Sequence, residues 1–174
     1  MISKNVLSII IFLIDREHEV GLESKIVAVG MENGTLAIVG LLNREVLAKT
    51  KVSGEKIAIN AISFFKESLL LVGCESGKVM CFSLPDLKVF WALHDSDSSV
   101  MSLLSLPNLN GFLVGKLDGT CGYYTLNSNG QLSNTRVLLS GADTDPINTI
   151  KSDGTYIYTG ARDGKIRKYN IYDI

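Results

Sequence analysis

Apolar and β-branched runs of strand length, each bounded by turn residues, recur along the whole chain. Their spacing is regular. The segments Val29-Gly30-Met31-Glu32-Asn33-Gly34, Val72-Gly73-Cys74-Glu75-Ser76-Gly77, Val114-Gly115-Lys116-Leu117-Asp118-Gly119 and Thr159-Gly160-Ala161-Arg162-Asp163-Gly164 all read x-G-x-x-x-G. Their first glycines lie 43, 42 and 45 residues apart. That is the period of a four-stranded propeller blade, not of the helical repeats at about 33 to 34 residues. The second glycine of each unit follows Asn, Ser, Asp or Asp. Asn-Gly and Asp-Gly pairs supply the positive φ angles of a two-residue type I′ turn, so each unit is expected to hold a tight hairpin of that type.

The remaining strands fall around these hairpins. First strands read Val6-Leu7-Ser8-Ile9-Ile10, Ile59 to Phe64, Val100 to Leu104 and Ile147 to Ile150, with apolar residues three apart around small ones. The step from first strand to glycine is 14, 15 and 13 residues in the last three units but 24 in the first, so Asp15 to Lys25 reads as an inserted, charged loop. Third strands include Lys78 to Phe82 and Lys165 to Tyr169, and fourth strands Val46 to Val52, Lys88 to Leu93 and Thr135 to Leu139. The last unit stops after its third strand, giving fifteen strands. The expected architecture is all-β with almost no helix: one domain over residues 1–174, with blade-like repeats over 6–52, 59–94, 100–140 and 147–174. Four units with a missing strand suggest a partial propeller, or one that completes a ring with another chain.

Composition narrows the function. The chain has 174 residues, is 46% hydrophobic and 20% charged, and has a formal net charge of −1, which fits a globular domain with no global field for nucleic acid. Sixteen glycines against three prolines exclude collagen-like and proline-rich readings. Two histidines, His18 and His94, and no nucleophile or phosphate motif leave catalysis unsupported. Cys74, Cys81 and Cys121 lack C-x-x-C spacing, so they encode neither a disulfide framework nor a zinc site and read as small buried hydrophobes in a reducing compartment. The run Val6 to Ile14 imitates a signal peptide but leads into Asp15-Arg16-Glu17 without a small-residue cleavage site, and it is too short to span a bilayer.

The string Tyr156-Ile157-Tyr158-Thr159-Gly160-Ala161-Arg162-Asp163-Gly164-Lys165-Ile166-Arg167-Lys168-Tyr169-Asn170 resembles the second and third strands of a WD (tryptophan-aspartate) repeat. The other units resemble it with their signatures worn down. Where that family has tryptophan this chain has Val39, Phe82, Tyr124 and Tyr169, and where the following aspartate stands it has Gly40, Ser83, Thr125 and Asn170. The family's turn aspartate is matched at Asp118 and Asp163. Its Gly-His pair ahead of the first strand is absent, which puts its hydrogen-bond tetrad in doubt. The resemblance implies a non-catalytic scaffold for protein–protein interaction, without cofactor, in the cytoplasm or nucleus. A quinoprotein-type repeat, suggested by Gly77 to Phe82 and Val89-Phe90-Trp91, is the alternative, and it would require Trp91, Cys74 and Cys81 to converge.

In such a fold the hairpin turns share one face with the loops between blades. That face carries Glu32, Glu55, Glu75, Asp95, Asp97, Asp118, Asp143, Asp145 and Asp163 against Lys56, Lys116 and Arg162. An acidic rim would steer a basic peptide, and Asp95, Asp97, Asp118, Asp143, Asp145 and Arg162 are the expected partner contacts. Asp and Asn also populate tight turns for local backbone reasons. His94 to Ser99 alternates acidic and hydroxyl residues as a calcium loop does, but Val100 and Leu106 fall where that loop needs Gly and Glu. Lys151, Arg162, Lys165, Arg167 and Lys168 bias the last unit positive. Nucleic acid binding there is a weak reading, because strand alternation already turns charges outward.

Overall fold

The computed structural model describes residues 8–11, 26–52, 54–55, 57–65, 68–139 and 144–174. Among the described residues fifteen strands form four antiparallel sheets, each a simple meander. The first contains β1 (Ser8–Ile11), β2 (Ile26–Gly30), β3 (Thr35–Gly40) and β4 (Val46–Lys51). The second contains β5 (Ile59–Phe65), β6 (Leu69–Cys74), β7 (Val79–Ser83) and β8 (Lys88–Leu93). The third contains β9 (Val100–Leu106), β10 (Gly111–Lys116), β11 (Cys121–Leu126) and β12 (Leu132–Leu139). The fourth has three strands, β13 (Ile147–Ser152), β14 (Tyr156–Ala161) and β15 (Ile166–Asn170). Two three-residue 3₁₀ turns, Pro107–Leu109 and Ile171–Asp173, are the helical elements among the described residues. None of these is long and apolar enough to cross a membrane.

The sheets pack face to face in chain order, the arrangement of successive propeller blades. Ala28, Leu36 and Ile38 of the first sheet meet Ile62, Phe64, Leu70 and Phe82 of the second. Leu71, Cys81 and Trp91 then meet Phe112, Val114 and Tyr124 of the third, and Leu113, Cys121 and Tyr123 meet Ile147, Ile150 and Ile157 of the fourth. A strand covered on both faces loses its polar alternation, which is why β6 and β10 are near-continuously apolar and buried. The outer strands β4 and β8 keep exposed positions. Strands β1, β5, β9 and β13 neighbour one another and form the inner side of the arc. There polar clamps add direction to the apolar packing: Asn60 Nδ2 donates to Ser99 Oγ at 3.0 Å, and Ser102 Oγ donates to the Ile147 carbonyl at 2.8 Å.

The hairpins differ from expectation in turn type. In the four x-G-x-x-x-G turns positive φ is confined to the second glycine, +76° at Gly34, +84° at Gly77, +85° at Gly119 and +77° at Gly164, and the residue before each is not left-handed. In every unit the glycine N–H donates to the carbonyl three residues back, and that residue's N–H reaches the carbonyl just past the glycine. Gly119 to Lys116 and Lys116 to Thr120 are one such pair. This is a type I turn closed by a left-handed glycine bulge, not type I′. The polar residue before the glycine is selected by its side chain instead: Asn33, Asp118 and Asp163 each accept the N–H two residues on, at 3.0, 3.0 and 2.9 Å. Strand β12 also starts earlier than the turn residues suggested, at Leu132. The inserted loop Asp15 to Lys25, and Val6 and Leu7 of the first expected strand, lie outside the described residues.

Candidate partner-binding groove

The turn ends of the first three sheets converge on an open groove of about 660 Å³. One side comes from the first two hairpins, which place Glu32 and Glu75 there. The connection into β5 supplies Ile57 and Ala58, and the connection from β8 to β9 supplies Asp97, Ser98 and Ser99. Met101 and Leu117 add apolar lining, with Leu117 49% exposed. Three carboxylates therefore line the groove beside the apolar Ile57, Ala58, Met101 and Leu117, and His94 Nε2 lies 3.1 Å from Asp97 in an exposed pair. Carboxylates beside exposed apolar surface suit a chain that carries basic and aliphatic side chains together.

The expected contact residues divide. Asp97 lines the groove. Asp118 is exposed on the neighbouring hairpin, yet its carboxylate is engaged locally. Partial burial pushes its carboxyl up, but bonds from the Thr120 hydroxyl and N–H outweigh that and hold it below the ordinary value. Asp145 and Arg162 sit on the fourth sheet's turn side, joined through their loops by the Arg162 N–H to the Pro146 carbonyl at 3.0 Å, and neither lines the groove. Asp143 lies outside the described residues. Glu32 and Glu75 were visible in the sequence as rim acids, but only the three-sheet geometry sets them beside Asp97.

The Asp95 carboxylate is engaged within the chain. The side chain is 16% exposed and turned onto the third sheet, where it accepts from the Nζ of Lys116, from the Tyr124 hydroxyl and, at 3.0 Å, from Arg136. Burial pushes the Asp95 carboxyl up, but the Lys116 and Tyr124 hydrogen bonds and the Lys116 and Arg136 charges hold it below the usual range. Burial and the Asp95 carboxylate together push the Tyr124 phenol well up. Lys116, read from the sequence as a rim base, is buried with 2% exposure and also bonds Ser96 Oγ at 2.7 Å. Tyr124 continues into a stack, 5.4 Å from Phe112, which lies 5.6 Å from Trp91. The signal for this network was a lysine at the strand end where the other repeats have Met31, Cys74 and Ala161. A cation in that slot needs a buried acceptor.

The other candidates are internally satisfied or dispersed. Arg167 forms a two-pronged pair with Asp163 at 2.6 and 3.3 Å, and Lys168 Nζ lies 3.4 Å over the Tyr156 ring, so much of the last sheet's positive charge is spent within that sheet. Cys74 packs toward the first sheet, whereas Cys81 and Trp91 pack toward the third, so these three residues do not converge.

Sequence and fold comparisons agree with the blade architecture. The family model "WD domain, G-beta repeat" matches residues 131–170, a stretch that runs from β12 of the third sheet through all three strands of the fourth. Proteasomal ATPase-associated factor 1 from Bos taurus is 32% identical over 159 residues, and the Homo sapiens protein 30% identical over the same length. Each match covers 91% of this chain, but the chain spans only 38% of the length of these relatives. Among solved structures, Saccharomyces cerevisiae Sqt1 superposes with a TM-score of 0.72 at 21% identity, covering 94% of this chain and 44% of Sqt1. At that identity the likeness speaks for the fold.

Proposed function

Because this chain belongs to the WD-repeat family of β-propellers, we propose that it is a non-catalytic interaction scaffold whose turn-side groove receives a basic segment of a protein partner. The observation that carries this reading is the groove itself. The hairpins of the first two blades and the β8–β9 connection bring Glu32, Glu75 and Asp97 into one groove with apolar lining. Loops held on a rigid sheet scaffold are the usual place for binding residues. The name of these relatives suggests a partner class, a proteasomal ATPase, and such a partner fits a cytoplasmic or nuclear protein with three unpaired, buried cysteines. The chain provides four blades of one unit, and a ring completed by further blades or a second chain is part of the same proposal.

The test is binding to purified proteasomal ATPase subunits by calorimetry. The triple variant Glu32→Gln, Glu75→Gln, Asp97→Asn should lose at least about tenfold in affinity, with the remaining binding less sensitive to salt. Arg162→Ala, which lies off the groove, should bind as the natural chain does. Full binding by the triple variant would remove the groove from the proposal, and absence of binding by the natural chain would remove the partner class.

A further inference from the structure

Asp95 stands where a partner contact was expected, but its surroundings give it another role. The segment after it, Ser96 to Ser99, brings Asp97, Ser98 and Ser99 to the groove and is gripped from both sides. On the second sheet, Gly77 sits so close that a Cβ there would lie 2.1 Å from the Ser96 carbonyl oxygen and 2.9 Å from that of Ser98. On the third sheet, the Leu117 N–H donates to the Ser99 carbonyl at 2.9 Å and the Asp118 N–H to Ser98 Oγ at 3.0 Å. Buried Lys116 holds both Asp95 and Ser96 Oγ.

We infer that Asp95 and Lys116 act as positioning residues for the groove: the pair of buried Lys116 with half-buried Asp95 locks the β8–β9 connection onto the β10–β11 hairpin and so fixes where Asp97 and Leu117 meet a partner. This rests on the proposed groove. The physical argument is preorganisation: a loop held in its bound shape avoids the ordering cost of binding. Without the carboxylate, Lys116 is a buried cation with only a hydroxyl acceptor from this loop, and the loop loses its inward anchor. Tyr124 and Arg136 make the anchor directional, because they reach Asp95 from β11 and β12 while Lys116 reaches it from β10.

Amide hydrogen exchange on the whole chain reads the lock without any partner. In Asp95→Asn the Leu117 and Asp118 amides should accelerate at least about tenfold more than those of Ile157 and Thr159 in β14, which report the global loss of stability. Tyr124→Phe, which removes one bond to Asp95 and retains the stack on Phe112, should show the same pattern more weakly and serves if the first variant does not fold. A synthetic peptide alternating leucine and arginine is the binding probe. Asp95→Asn should weaken it together with the exchange change, whereas Asp97→Asn should weaken it with exchange unchanged. Unaltered exchange at Leu117 and Asp118 in both network variants, or acceleration spread equally through β14, overturns the positioning role. If exchange moves as expected but the natural chain does not bind the peptide, the lock stands and the groove reading falls.

Discussion

Gly73 lies against Val100 so closely that a Cβ on the glycine would sit 2.3 Å from the valine Cγ1. The same contact recurs one blade back between Gly30 and Ile59, at 2.4 Å, and one blade on between Gly115 and Ile147, at 2.6 Å. The first glycine of each of the first three x-G-x-x-x-G units is thus the seat for the leading β-branched residue of the next inner strand, and repeat spacing and blade packing are one feature. Replacing Gly73 by alanine forces two packed strands apart. It should destabilise the chain by about 1–3 kcal/mol, as overpacking does. At Gly160 the tight neighbour is the Thr149 methyl of its own sheet, at 2.8 Å, which a rotamer change relieves. Gly160→Ala should therefore cost clearly less, and parallel denaturant titrations of the two variants check the order.

Thr159 is fully buried, and its hydroxyl is the buried side-chain polar atom left without a hydrogen-bond partner among the described residues. The other three units have Val29, Val72 and Val114 at this position. A buried unsatisfied hydroxyl costs about 1–3 kcal/mol, and valine keeps its shape. Thr159→Val should raise stability by about 1 kcal/mol, read as an upward shift in Tm. A drop would mean that the hydroxyl is bonded in solution.

The architecture was legible because its signals are local and repeated. The glycine period, the turn residues and the apolar runs each act within one unit, and four copies reinforce one another. The turn type was misread because the sequence cannot distinguish an Asp-Gly pair that supplies two left-handed residues from one in which only the glycine is left-handed and the aspartate caps the turn. The site was half legible for a related reason. Asp95 and Asp97 look alike in His94-Asp95-Ser96-Asp97, yet one turns onto Lys116 and the other lines the groove. What separates them is the apolar slot holding Lys116 on a strand twenty residues away, a tertiary fact that no turn pattern contains.

All three thiols are buried and none is paired. Burial pushes Cys74 up to about 11, and Cys81 and Cys121 up to about 12. Because the thiolate is the reactive form, a disulfide reagent at pH 8 should titrate essentially none of them in the folded chain and all three in guanidinium. Fast reaction of one thiol under native conditions would show that its blade interface opens.

The Asp95 network also sets a pH signature with a defined sign. The folded carboxyl lies below its ordinary value despite partial burial, so the folded state holds the proton less tightly than the unfolded chain does. Its stabilising contribution is complete above the unfolded value of about 3.9 and is lost as pH falls through the lower, folded value. Asp95→Asn leaves the Lys116 ammonium buried without its carboxylate, which should cost about 3 kcal/mol at neutral pH. The stability gap between this variant and the natural chain should be level from about pH 8 to 5 and should narrow below about pH 4. Trp91 provides the probe, because it stacks on Phe112 next to Tyr124 and donates its indole N–H to the Gly130 carbonyl at 3.0 Å, so loosening of this interface changes its fluorescence. Denaturant titrations followed at Trp91 across that pH range give the gap directly. A gap that widened on acidification would mean that the carboxyl binds its proton more tightly in the folded chain, the reverse of a carboxylate held by Lys116, Tyr124 and Arg136.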